Sequence, residues 1–77
     1  MKVEIRFFGQ LIEIVGSNTY ELEITKLEYD AILTQLNKQM PSIKSFTIQL
    51  AQNNKIIQGE TELDLSPIDV FPPFSGG

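Results

Sequence analysis

The residues of this sequence that could do chemistry sit together at one end: Phe71-Pro72-Pro73-Phe74-Ser75-Gly76-Gly77. Gly76 and Gly77 carry no Cβ, so the terminal carboxylate of Gly77 sits on a thin, unbranched tip that fits a slot closed to other residues. Pro72 and Pro73 do the opposite. Each ring fixes φ, and the adjacent pair favours stiff, extended polyproline geometry. Phe71, placed before a proline, is pushed towards an extended conformation as well. The pattern reads as a stiff stem, an aromatic anchor at Phe74, then a narrow tip. Seven extended residues reach roughly 23–25 Å, enough to leave a small domain and enter a partner's active site. Terminal glycines alone often mean nothing, because chain ends fray. Two phenylalanines and two prolines in front of them are not the composition of a solvated end, and a functional tail is expected.

Composition limits what else the chain can do. It has 77 residues, no cysteine and no histidine. Disulfides are excluded, a zinc site lacks its usual sulfur and imidazole ligands, and no Ser-His or Cys-His nucleophile pair can be built. No metal and no bound cofactor are expected. If this protein handles sulfur, the sulfur cannot sit on a side-chain thiol and would have to sit on the terminal carboxyl group. Six basic against ten acidic residues give a net charge of −4, which argues against nucleic acid as a partner. The five lysines, Lys2, Lys26, Lys38, Lys44 and Lys55, accompany no glycine-rich phosphate loop, so any ATP would bind on a partner. Charged residues alternate with apolar ones from the start, and no apolar stretch approaches a membrane span. A soluble, cytoplasmic protein without membrane attachment is expected.

The elements that position the tail follow from periodicity. Val3, Ile5 and Phe7 alternate with Lys2, Glu4 and Arg6, the pattern of a strand with one face buried, and Phe8 falls on the polar face. Residues 10–16 predict a short helical turn stopped by Gly16, with a continuous strand as the alternative. Tyr20, Leu22 and Ile24 alternate inward, and the acids between them would face Lys2 and Arg6 if these strands pair antiparallel. Thr25-Lys26-Leu27-Glu28 fits a capping box with Thr25 at the N-cap and Ile24–Tyr29 as the staple. Tyr29, Ile32, Leu33, Leu36 and Met40 then form one apolar helical stripe, best read as core, that ends at Pro41.

Phe46, Ile48 and Leu50 predict a third strand, Asn53-Asn54 a tight turn, and Lys55–Gln58 a short return strand. Residues 61–67 read as loop anchored by Leu63 and Leu65, and residues 68–71 as the last strand, running straight into the tail. Glu60 and Glu62 read as loop charges. Asp64 and Asp69 would form a charged docking rim, although acids near loops are more often simply solvated.

This order predicts an α+β fold of the ubiquitin-like, β-grasp kind: a mixed sheet of four to five strands with one main helix across one face. Residues 1–71 make the domain and 72–77 the extended tail. The sheet's other face is free for partners, with Phe8 and one of Ile56 or Ile57 as an interface patch, because adjacent strand residues point to opposite faces.

Arg6-Phe7-Phe8-Gly9-Gln10-Leu11 with Val15-Gly16, and above all the Phe71–Gly77 ending, resemble the small subunit of molybdopterin synthase, a ubiquitin-like sulfur carrier. The resemblance spans the chain. It departs at residues 64–68, Asp-Leu-Ser-Pro-Ile, where that family often carries an Asp-Gly-Asp/Glu loop. The resemblance implies a sulfur-carrying, non-catalytic subunit of a sulfurtransferase. An adenylating enzyme would activate the Gly77 carboxylate with ATP, and sulfur would replace AMP to give a thiocarboxylate. The tail would then enter the large catalytic subunit of molybdopterin synthase and deliver sulfur to a pterin precursor. Gly76 and Gly77 would thread the channel, Ser75 would hydrogen-bond its wall, and Phe71, Pro72, Pro73 and Phe74 would dock the stem. Two other readings stay open: sulfur delivery to thiamine or tRNA, and a ubiquitin-like modifier or interaction module.

Overall fold

A computed structural model describes residues 1–72. The elements are β1 (Lys2–Phe7), α1 (Leu11–Val15), β2 (Thr19–Glu23), α2 (Tyr29–Gln39), a 3₁₀ turn (Pro41–Ile43), β3 (Gln49–Gln52), β4 (Lys55–Ile56) and β5 (Ile68–Phe71). The strands form one mixed sheet in the order β2-β1-β5-β3-β4. β1 and β5 run parallel, and the other neighbours run antiparallel. The sheet with its single longer helix is the β-grasp arrangement expected from the pattern, with five strands.

The alternation in β1 decides which face is core. Val3, Ile5 and Phe7 are buried, while Lys2, Glu4 and Arg6 face outward. Leu22 from β2 and Ile24 just after it, Leu50 from β3 and Ile57 just after β4, and Ile68 and Val70 from β5 complete the inner face. α2 contributes Ile32 and Leu36, and Leu11 and Ile43 close the core from α1 and the 3₁₀ turn. Burying a side chain of this size contributes about 1.5–3 kcal/mol. The end of α2 is tied to β2 by polar contacts as well. The Tyr20 hydroxyl donates to Gln39 Oε1 (3.0 Å), and Gln39 Nε2 donates to the Glu23 carbonyl (3.0 Å).

Turn chemistry follows the sequence. Gly16 stops α1 in the left-handed region (φ 85°) and returns its N–H to the Ile12 carbonyl. Asn53 and Asn54 both have positive φ (54° and 66°) between the paired Gln52 and Lys55, the geometry of a two-residue hairpin turn.

Five expectations are corrected. Thr25–Glu28 is not a capping box: α2 begins at Tyr29, Glu28 is the extended N-cap residue, and no side chain caps the helix. The sheet explains the delay, because the chain is still bonded to it at Ile24, whose N–H donates to the Met1 carbonyl (2.8 Å). The staple positions therefore shift from Ile24–Tyr29 to Leu27 and Ile32, and Leu27 packs on the core. Next, β3 starts at Gln49 rather than Phe46. Gln49 pairs with Phe71, so the following ladder partner would be Pro72, which has no N–H to give. β4 is likewise only Lys55–Ile56, shorter than the expected Lys55–Gln58.

Leu65 is not an anchor but is 58% exposed, while Leu63 packs on the core. The loop is held by polar bonds instead. Gln52 Nε2 donates to the carbonyls of Asp64 (2.9 Å) and Ser66 (2.8 Å), and Gln52 Oε1 accepts from the Asp64 N–H (3.1 Å). Fixing the residues on either side of Leu65 leaves its side chain outside. Finally, the acids of β2 face only one of the two cations assigned to them. Lys2 Nζ lies 3.4 Å from Glu21, but Arg6 bonds Asp69 across the β1–β5 pair. Among the described residues, no helix is long and apolar enough to cross a membrane.

Candidate functional site

The root of the tail is built on the middle strand of the sheet. β5 lies between β1 and β3, so both its edges are hydrogen-bonded, and Ile68, Asp69 and Val70 are buried. Phe71, the last strand residue, is half-buried. A strand flanked on both sides cannot slide without breaking two ladders, so the direction in which the chain leaves the domain is fixed at Phe71.

Two contacts hold that exit. The Phe8 N–H donates to the Val70 carbonyl (3.1 Å), which carries the β1–β5 pairing one residue past the end of β1. The Phe8 ring then stacks on Phe71, with centroids 4.8 Å apart and planes 19° from parallel. An offset pair of this kind contributes about 0.5–1.5 kcal/mol beyond its buried area. Beside it, Gly9 adopts φ 61°, and a Cβ built there would lie 3.1 Å from Pro72 Cγ. Gly9 therefore meets two needs at once: a left-handed turn into α1, and room for the Pro72 ring.

Beneath the stack, Arg6 Nε donates to Asp69 Oδ1 at 2.6 Å. The Asp69 side chain is only 11% exposed, whereas the Arg6 side chain is 46% exposed. The hydrogen bond to Asp69, reinforced by its charge, raises the Arg6 pKa above its ordinary value. The sequence signal for this pair was the outward position of each residue on its strand. What was missing was the parallel β1–β5 register that sets Arg6 opposite Asp69.

The structure separates the site residues named from sequence into three groups. Phe71 and Pro72 form the tail root. Phe8 (38% exposed) and Ile56 (55% exposed) both lie on the surface, while Ile57 is buried in the core. Phe8 joins Phe71, but Ile56 is three strands from β1 in the sheet order, roughly 14 Å away at the usual strand spacing. Pro73, Phe74, Ser75, Gly76 and Gly77 lie outside the described residues.

On the other side of β3, a groove of about 470 Å³ is lined by Tyr29, residues 47–50 and residues 56–58. Apart from the Tyr29 hydroxyl it presents no ionisable side chain, so it offers no acid–base chemistry. No group of three or more His, Cys, Asp or Glu side chains among the described residues could hold a metal ion.

Comparison with known proteins agrees with this anatomy. The ThiS family matches residues 5–77. The fold resembles the crystal structure of small archaeal modifier protein 1 from Haloferax volcanii, with a TM-score of 0.80 and 25% identity over 100% of both chains. It also resembles the solution structure of the small archaeal modifier protein 1 from Methanosarcina acetivorans, with a TM-score of 0.76, 25% identity, and 99% and 96% of the two chains covered. A Pyrococcus furiosus protein assigned as molybdopterin converting factor, subunit 1, superposes with a TM-score of 0.81 at 19% identity, covering 96% and 99%. No curated protein matches the chain significantly in sequence.

Proposed function

Because this chain belongs to the ThiS family of ubiquitin-like sulfur carriers, we propose that it carries sulfur as a thiocarboxylate on Gly77 and delivers it for molybdopterin synthesis. In the first step the Gly77 carboxylate attacks the α-phosphate of ATP on an adenylating enzyme, forming the acyl adenylate and releasing pyrophosphate. A sulfide-level donor then displaces AMP and leaves the thiocarboxylate. In the last step the tail enters the large subunit of molybdopterin synthase, the thiocarboxylate sulfur displaces an oxygen leaving group on the pterin precursor, and water cleaves the resulting acyl–sulfur bond to regenerate the Gly77 carboxylate. No side chain of this chain acts as acid or base in that scheme. Its own task is to hold Phe71 and Pro72 at a fixed exit and present the terminus.

The observation that carries the reading is the family match running through the tail to residue 77. The Phe71-Pro72-Pro73 stem favours the molybdopterin branch over thiamine or tRNA thiolation. A second reading is supported by the likeness to the small archaeal modifier proteins: an isopeptide bond from Gly77 to lysines of other proteins.

The test is the intact mass of the protein after incubation with an adenylating enzyme, ATP and a sulfur donor. A gain matching one oxygen replaced by sulfur, lost when Gly77 is deleted, supports the carrier chemistry. No gain, while a control carrier in the same tube is converted, refutes it. Restoration of molybdenum cofactor in a strain lacking the small subunit supports the branch. A ladder of lysine-linked conjugates without that restoration moves the assignment to the modifier.

A further inference from the structure

The sheet face turned away from α2 has one cation next to the tail root. The register sets Arg6, Asp69, Ala51 and Ile56 in one row across β1, β5, β3 and β4. Phe8 and Phe71 stand beside that row, towards the exit. The other cation among the outward positions of β1 is Lys2, at the far end of the strand and engaged with Glu21. Glu4 and Glu21 face each other directly, so that end of the face is acidic.

Arg6 is held in an unusual way for a surface arginine. Its Nε–H is engaged by a nearly buried carboxylate, which restrains the guanidinium. Its two terminal NH₂ groups donate to no atom among the described residues. A guanidinium has five N–H donors in a rigid fork that matches a carboxylate. With its rotation already restricted by Asp69, Arg6 loses little further freedom when a second carboxylate arrives. Because Asp69 offsets its charge at long range, this contact acts at short range, through geometry.

We propose that Arg6, clamped by Asp69, is the specificity-determining contact of this carrier: it receives an Asp or Glu side chain of the adenylating enzyme as that enzyme covers the Phe8–Phe71 stack and takes in the tail. The inference rests on the sulfur-carrier reading. An enzyme that holds Gly77 in its active site must reach back along the stem to Phe71, and Arg6 is the cation it meets there. The partner surface is then apolar over the two rings, with a carboxylate set beside them. Arg6 is a binding residue here and takes no part in the bond changes at Gly77.

The rival explanation is that the ion pair only fastens β5 to β1. Adenylation kinetics with the carrier as varied substrate separate the two, read beside the Tm of each variant. Arg6→Gln is expected to raise KM about tenfold, as for a truncated interfacial charge, with kcat unchanged. Arg6→Lys keeps the charge without the fork and falls between. The decisive variant is the double replacement Arg6→Met with Asp69→Leu. The cost of Arg6→Gln comes from leaving the nearly buried Asp69 unpaired, and an apolar pair removes that charge, so a purely structural role predicts that both Tm and KM return to wild type. A recognition role predicts that Tm recovers while KM stays raised. Recovery of KM in the double variant, or an unchanged KM in Arg6→Gln, overturns the proposal. A folded wild-type chain that is not adenylated at all overturns the sulfur-carrier reading, and this one with it. Adenylated wild type with an insensitive Arg6 overturns this one alone.

Discussion

Replacing Gly9 by alanine tests whether the fold itself sets the exit of the tail. The residue stands at φ 61°, and its Cβ would approach Pro72 Cγ to 3.1 Å. A left-handed conformation costs an L-residue about 1–2 kcal/mol, and the stiffer unfolded chain returns about 0.4–1 kcal/mol of that. The backbone part is then about 1 kcal/mol. Gly16 isolates it, because it has φ 85° and nothing within 4 Å of its Cβ position. Gly16→Ala should therefore lose about 1 kcal/mol, and Gly9→Ala about 1 kcal/mol more for crowding the proline ring, at the low end of overpacking costs. In a domain this small, 1 kcal/mol shifts Tm by roughly 4–8 °C, so the two variants should melt that far apart. A cycle of Gly9→Ala with Pro72→Ala should recover the second increment, since the ring atoms that the Cβ meets are gone. The measurement is denaturant unfolding of the four proteins of that cycle, with Gly16→Ala alongside. Equal losses for Gly9→Ala and Gly16→Ala, together with no coupling to Pro72, would refute the claim that Gly9 is reserved for the stem.

Gln52 and Asp64 carry two further predictions. Gln52→Ala removes the three Gln52 bonds to residues 64–66 and should lower stability by about 1–3 kcal/mol, read from the urea midpoint at unchanged slope. A loss within the usual surface range of about 0.5 kcal/mol would show that the loop is held elsewhere. Asp64 is kept below its ordinary pKa of 3.8 first by the Ser66 backbone N–H, then by the Ser66 hydroxyl and the Asn53 amide. A depressed folded pKa stabilises the protein above the unfolded value, and that contribution is lost as pH falls through the folded one. Asp64→Asn should therefore flatten the stability profile below about pH 4, and identical acid limbs for the two proteins would contradict the assignment.

What could be read in the sequence was what neighbouring residues decide among themselves. β1 was legible because Val3, Ile5 and Phe7 alternate without a break, and the Asn53-Asn54 turn because asparagine tolerates the left-handed backbone that a two-residue hairpin needs. The errors arose where a partner distant in sequence overrides a local pattern. Thr25 and Glu28 have capping-box spacing, but the sheet still holds the chain at Ile24. Phe46 alternates correctly with Ile48 and Leu50, yet the strand it would extend runs out at Pro72. Leu65 looks like an anchor only until Gln52 is known to fix its neighbours. At the candidate site, Phe8 and Phe71 were each visible, one as a patch residue and one as a stem residue. Their stacking, like the Arg6–Asp69 bond across 63 positions, depends on a parallel pairing that no local spacing announces.

Under the proposed function, that parallel pairing also explains how a chain with so little chemistry of its own would serve a reaction at its terminus. The carboxylate proposed to react belongs to a residue with no side chain, so the fold would influence it only by setting where the tail starts and in which direction. β5 does both, because it has hydrogen-bonded neighbours on each edge and a buried body. Ordering one backbone residue costs about 1–2 kcal/mol. Phe71 is already ordered in the sheet, and the Pro72 ring lies beside Gly9. A partner enzyme would therefore meet a tail whose root, Phe71 and Pro72, loses little further freedom on docking. Loosening the root, at Gly9, Phe8 or Phe71, should for that reason weaken docking of a tail whose sequence is unchanged, even though no atom of the reacting group has been touched.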